Sequence, residues 1–249
     1  MTNKLILSAN QPYFAPFPGF FYKAHLSDIF VILDEVQFPR GTTWLTRNRF
    51  KNDRGTLWMT IPVWKKGLGL QKIDEVGICH EVSWAKKHLA GIRNAYARAP
   101  YFMDHMHFVE EVFTRKFERL IDLNLKIINY LMKHLNIETR VILLSELGIK
   151  DRGDHLIIEI CRRMGASHFV AQNAAGKYLN ADLFKEAGIQ LKFFRPPSLV
   201  YPQLWGNFVS NLSAFDLIFN CGEKARDILV VKEGTLPTGQ SFGQSKENP

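Results

Sequence analysis

Apolar positions along this chain follow two periods. Leu5 to Leu7 and Ile29 to Leu33 are short unbroken apolar runs, the pattern of strands buried on both faces. Between them lie a Pro/Gly/aromatic loop and a helix-length segment, so the stretch predicts a strand, a crossover helix and a parallel strand. Thr56 to Trp64 alternates β-branched and aromatic residues up to Pro62 and reads as an edge strand, and Gln71 to Ile78 reads as a further extended segment. From Ser83 the period changes to helical. Trp84, His88, Ile92 and Tyr96 share one face, and Pro100 ends the helix. Phe108, Val112, Phe113, Phe117, Leu120, Ile121, Leu125, Ile128, Leu131 and Leu135 continue at helical spacing, as one long helix or two in succession. Strand-like runs at Arg140 to Leu144, His168 to Ala171 and Ile189 to Phe194 then alternate with helices at Asp154 to Met164 and Ala181 to Ala187, with Gly165 and Gly188 as stops. Ser213 to Cys221 reads as a short helix closed by Gly222, with Asp216 and Asn220 on one face.

This order predicts an α/β fold with a mainly parallel, Rossmann-like sheet and a helical insertion spanning about residues 83–135. The expected organisation is a single domain over 1–231 and a disordered tail over 232–249, where the chain turns polar and rich in Gly and Pro. No apolar run approaches the ~18–20 residues of a membrane helix. The N-terminus lacks a signal-peptide pattern, and the three cysteines show no CxxC pairing. A cytoplasmic protein without a membrane span is expected. The net charge of +8 and pI of 9.4 favour anionic partners, yet no run of five or six basic residues occurs. Nucleic acid is therefore not an expected partner.

Candidate chemistry gathers where open α/β sheets bind ligands, beyond the C-terminal ends of strands. Gln11 follows the first strand, Asp34 and Gln37 close the second, and Arg47 and Asn48 follow in what reads as a short loop. Polar residues at strand ends also serve turns, as Gln11-Pro12 and Asp34 could. The segment Ala174 to Tyr178 stands where a phosphate loop would, but lacks both glycine-rich spacings of such loops. The histidines show no ligand spacing, so no metal and no cofactor are expected. Cys221, in an apolar segment without an adjacent histidine, reads as a structural thiol rather than a thioester nucleophile.

Gln11-Pro12-Tyr13-Phe14, Asp34-Glu35-Val36-Gln37, Trp44, Arg47-Asn48, Thr60 to Val63, Trp84, His88, Tyr96 and Pro100 are joined by Tyr201, Gln203, Phe208, Ser213, Asp216, Asn220 and Gly222. Together these residues resemble the WbqC-like family from about Leu5 to about Leu229. One departure is Ala171 to Gly176, where that family has a Ser-Gly-rich segment. The resemblance implies a place in O-antigen and other surface polysaccharide (lipopolysaccharide) biosynthesis. It further implies a transferase acylating the amine of a nucleotide-linked amino sugar, with a nucleotide sugar and an acyl carrier protein or aminoacyl thioester as partners.

Amide formation needs a base, a donor for the developing oxyanion and groups for the nucleotide. His88 is the expected base because imidazole titrates near neutrality, although a histidine beside Trp84 and Ile92 also suits packing. Asp34 would orient the base or take the amine's hydrogen bonds, and Asn48 and Gln11 are neutral donors fit for the carbonyl oxygen. Gln11, Gln37, Arg47, Tyr96, Tyr201, Gln203, Asp216 and Asn220 are expected to bind substrate, Arg47 as a bidentate anion partner. Two other readings stay open. A nucleotidyl-transfer enzyme would share the core, but Pro18-Gly19-Phe20-Phe21 stands where such enzymes carry paired histidines. A sugar-nucleotide or carrier-binding protein without catalysis would use the same residues.

Overall fold

A computed structural model describes residues 4–230. The tail expected over 232–249 lies outside the described residues. Five parallel strands, β1 (Ile6–Asn10), β2 (Ile29–Ile32), β5 (Arg140–Leu143), β6 (His168–Gln172) and β7 (Gln190–Phe194), form one sheet in the order β5-β2-β1-β6-β7. The chain therefore works outward from β1 to β5, then crosses to the other side of β1 for β6 and β7. That reversal between β1 and β6 is the topological switch point where such sheets open a crevice. β2, IFVI, is buried at all four positions, as expected of a strand covered on both faces.

The two faces of the sheet serve two cores. Leu7, Ala9, Ile29 and Val31 pack with Leu156, Ile157, Ile160 and Cys161 of α5 (Gly153–Met164) and Phe184 of α6 (Ala181–Glu186). Phe30 and Ile32 face the larger core, shared by Phe20 and Phe21 of α1 (Pro18–His25) and the helices α2 (Trp84–Tyr96), α3 (Phe102–Thr114) and α4 (Leu120–His134). Helix α7 (Ala214–Cys221) and helix α8 (Lys224–Val230) complete that layer. Pro18 at the first turn of α1 forgoes only an N–H that has no helical partner. Gly165 ends α5 at φ 68°, a left-handed turn that glycine adopts without strain.

Two extended segments depart from expectation. Arg47 and Asn48 do not lie in a loop. They open β3 (Arg47–Asn52), which pairs antiparallel with β4 (Gly55–Thr60), Arg47 opposite Thr60 and Asn52 opposite Gly55. The sequence RNRFKN hides this strand because its outward positions are cationic and its inward ones are Asn48 and Phe50. Gln71 to Ile78 is not a strand but a 3₁₀ turn at Ile73–Glu75 between isolated bridges, Gln37 to Lys72 and Val63 to Ile78. Three helices, α2 to α4, fill the interval between β4 and β5, with the long apolar stripe divided at Arg115 to Arg119. None of the helices among the described residues is long and apolar enough to cross a membrane.

Candidate functional site

At the end of β1 the sequence folds into a loop held from below. Asn48, with no exposed surface, donates both side-chain N–H groups, to Phe14 O at 3.1 Å and Ala15 O at 2.8 Å, while its oxygen accepts from Arg49 N. Asn124 of α4, equally buried, donates to Pro12 O and Leu45 O. Phe14 N in turn donates to Trp44 O. These bonds fix the Gln11 to Phe17 loop against the start of the hairpin, with Ala15 held at φ 41°. The Asn48 carboxamide is fully occupied as a loop pin. Gln11, half-buried, has its side chain in no hydrogen bond among the described residues and stands free at the strand end.

Helix α1 adds a group the sequence reading passed over. Lys23, 7% exposed, projects from α1 to the end of β1, where Nζ donates to Ala9 O at 2.5 Å and Asn10 Oδ1 at 3.3 Å. No carboxylate forms an ion pair with it among the described residues. Burial lowers its pKa to about 8. Asn10 donates to the backbone Gln11 O, so Lys23, Asn10 and the Gln11 main chain form one polar line at the end of β1. The only trace of this in the sequence is a single cation within PGFFYKAH, a helix otherwise dominated by apolar residues.

Asp34 closes β2, and its two oxygens accept from Ser145 N at 3.0 Å and Ser145 Oγ at 2.6 Å. It thereby ties the end of β2 to the end of β5. Its carbonyl accepts from Asp74 N, folding the 3₁₀ turn over the same strand end. Asp74 has its carboxyl pKa raised by burial and then by the neighbouring Asp34 and Glu35. Gln37 is exposed beside this turn.

His88 sits apart from these strand ends. Its Nε2 lies 3.1 Å from Thr60 N and 2.9 Å from Thr60 O, so either tautomer satisfies one backbone group on the outer edge of β4. Its ring packs edge-on to Trp84 and Phe113, and burial lowers its pKa, which keeps the imidazole neutral. No hydrogen bond joins it to Asp34 or Asn48 among the described residues. His88→Ala is expected to cost about 1–2 kcal/mol by leaving an edge-strand group unpaired, read from the urea midpoint. An unchanged midpoint with lost turnover would return the residue to the base role.

The other sequence-derived candidates meet in the interior. Tyr96 Oη donates to Asp216 Oδ1 at 2.8 Å and accepts from Lys51 N, and Asn220 donates to Asp216 O. Lys51, 1% exposed, donates to Gln203 Oε1 and Asn207 O, and Gln203 is clamped to both backbone groups of Val209. The Tyr201 hydroxyl lies beside Asp216 in the same cluster. Burial raises the pKa of Asp216, countered by Tyr96, Tyr201 and Lys51. Burial and then Asp216 hold both phenols well above their usual range. This network fastens residues 201–211 over the hairpin. Its side chains bond one another and backbone, except that Tyr201 Oη and Asp216 Oδ2 are buried without a hydrogen-bond partner among the described residues. Cys221, its thiol pushed up to about 11 by burial, keeps its proton at neutral pH.

Arg47 lies on the outer face of the hairpin, its guanidinium carbon 3.6 Å from the Trp58 ring centroid, in a small cavity with Thr42, Thr43 and Trp44. A second cavity, lined by Tyr101, Asp104, His105, His134 and Glu223, lies among α3, α4 and the end of α7. There burial lowers the His105 pKa to about 4 and its Nδ1 meets Tyr130 Oη at 2.7 Å. No group of three His, Cys, Asp or Glu side chains among the described residues is placed to hold a metal ion.

An open parallel sheet with its strand order reversed at β1 defines an α/β protein of Rossmann-like architecture. The chain belongs to the WbqC-like protein family, whose match covers residues 11–228. It is 29% identical over 221 residues to an uncharacterized protein of Mycobacterium tuberculosis, covering 88% of this chain and 95% of that relative. No solved structure matches the chain.

Proposed function

We propose that the chain binds a nucleotide-linked amino sugar at the β1/β6 crevice and acylates its amine in surface polysaccharide biosynthesis. The observation that supports this most is Lys23, a buried amine at the switch point without an acidic partner among the described residues. A diphosphate in the crevice supplies the negative charge that Lys23 lacks, and Gln11, with its carboxamide free, is the donor for the acyl oxygen as it gains charge. The acyl group arrives as a thioester. The sugar nitrogen attacks its carbonyl, the C–N bond forms and the C–S bond breaks. Of the two protons the ammonium loses, one goes to the departing thiolate and the other to solvent. Asn48, with its N–H groups committed to Phe14 and Ala15, supports the loop that carries Gln11 rather than the oxyanion.

The test is a thermal-shift and product assay on the purified chain. Stabilisation by a TDP- or UDP-amino sugar beyond that of the free nucleotide, with an N-acylated product formed from an aminoacyl thioester, is the expected result. Stabilisation by nucleoside triphosphate with pyrophosphate release would establish nucleotidyl transfer instead. Saturable sugar-nucleotide binding without product under any thioester would leave a binding protein and sink the transferase.

A further inference from the structure

The hairpin carries a surface that the strand-end crevice does not use. Trp44 is 38% and Trp58 43% exposed, and their rings stack at a centroid distance of 5.9 Å and 29°. A third ring between them would need about 7 Å, two van der Waals gaps of roughly 3.5 Å, so a ligand has to lie across the outside of the pair. Arg47 is set against Trp58 at 3.6 Å, and its Nε is buried with no hydrogen-bond partner among the described residues. It has no acidic partner among the described residues. Its neighbour on the same face, Arg49, has one terminal nitrogen committed to Ser210 O and Asn211 O, while its Nε, like that of Arg47, is buried without a partner among the described residues. Thr43 Oγ1 accepts from Leu45 N and keeps its own proton to donate, and Thr42 is exposed.

We propose that the pocket of Thr42, Thr43, Trp44, Arg47 and Trp58 is a binding site for an acidic saccharide, a pyranose ring bearing a carboxylate. The C–H face of a pyranose lies on an exposed indole, its hydroxyls meet the threonines, and its carboxylate takes the free fork of Arg47. The size of the pocket limits the occupant. A cavity of about 200 Å³ is below the roughly 300–1,000 Å³ of pockets that enclose drug-sized ligands, and so it holds a single ring rather than a whole nucleotide. Arg47 stacked on an aromatic ring is already oriented, so little side-chain freedom is lost when the anion arrives. The site is separate from the Lys23 crevice and does not rest on the acyl-transfer reading.

Calorimetric titration of the full chain with a short oligogalacturonide, the matched neutral oligosaccharide and uridine monophosphate tests this. The expected result is binding of the acidic oligosaccharide, at least tenfold weaker binding of the neutral one, and at least tenfold loss of acidic-sugar affinity in both Arg47→Gln and Trp58→Ala. Both variants should keep whatever nucleotide-sugar binding the wild type shows, because neither side chain lies at the β1 end. Equal affinity for acidic and neutral sugars, no binding of either, unchanged affinity in Arg47→Gln, or displacement of the saccharide by uridine monophosphate would each overturn the proposal.

Discussion

Replacing Lys23 by methionine is expected to stabilise the fold by about 2 kcal/mol near neutral pH. Its amine titrates at about 8 in the folded chain against 10.5 when exposed. At about 1.4 kcal/mol per pKa unit that difference is a penalty of about 3 kcal/mol for holding the charge inside. The bonds to Ala9 O and Asn10 Oδ1 return about 1 kcal/mol of it. Below pH 8 the amine is charged in both states and the penalty is complete. Between pH 8 and 10.5 the unfolded chain holds a proton that the folded chain has released, so wild-type stability rises with pH. Above that window the penalty is gone and the variant should be no more stable than the wild type. Urea unfolding at neutral pH and near the upper end of the window measures both limits. A variant less stable than wild type at neutral pH would make Lys23 a structural residue. A residue that costs the fold stability and sits at the switch point points to a ligand that needs it.

Asn48→Ala is expected to cost about 3 kcal/mol and to abolish ligand binding with it. The side chain has no exposed surface, and its removal strands the carbonyls of Phe14 and Ala15 and the N–H of Arg49. Buried groups left without partners cost roughly 1–3 kcal/mol each when they cannot relax toward water. The loop they hold includes Ala15 at positive φ, a conformation that stays only while its surroundings enforce it. A residue serving only as an oxyanion donor would leave the unfolding midpoint where it was. A shift of under about 0.5 kcal/mol in Asn48→Ala, the range of a neutral surface change, would therefore restore the catalytic reading.

The parallel sheet was legible because strands buried on both faces leave unbroken apolar runs. Leu5 to Leu7 and Ile29 to Leu33 locate β1 and β2, although β1 begins at Ile6 and runs on to Asn10. β3 was not, since RNRFKN puts Arg47 and Arg49 outward and buries Lys51 under a segment from the far end of the chain. Strand-end placement of Gln11 and Asp34 could be read from spacing. What those side chains do could not. Asp34 is consumed by Ser145, a residue 111 positions away. Tyr96 and Asp216, 120 apart, meet only once α2 and α7 pack around Phe219. Lys23 carried almost no signal, because a helical lysine is ordinarily solvated and only closure of α1 over β1 buries this one.

The most direct measurement is calorimetric titration of a UDP- or TDP-linked amino sugar into the wild type and Lys23→Met, near pH 8 and in two buffers of different ionisation enthalpy. The expected result is saturable binding with net proton uptake in the wild type, because a bound diphosphate raises the depressed lysine pKa. Affinity should fall at least tenfold, about 1.4 kcal/mol, in a variant that is more stable yet binds without that proton. Equal affinity in the two proteins, or no binding of any nucleotide-linked amino sugar, would contradict the assignment of the β1/β6 crevice as the substrate site.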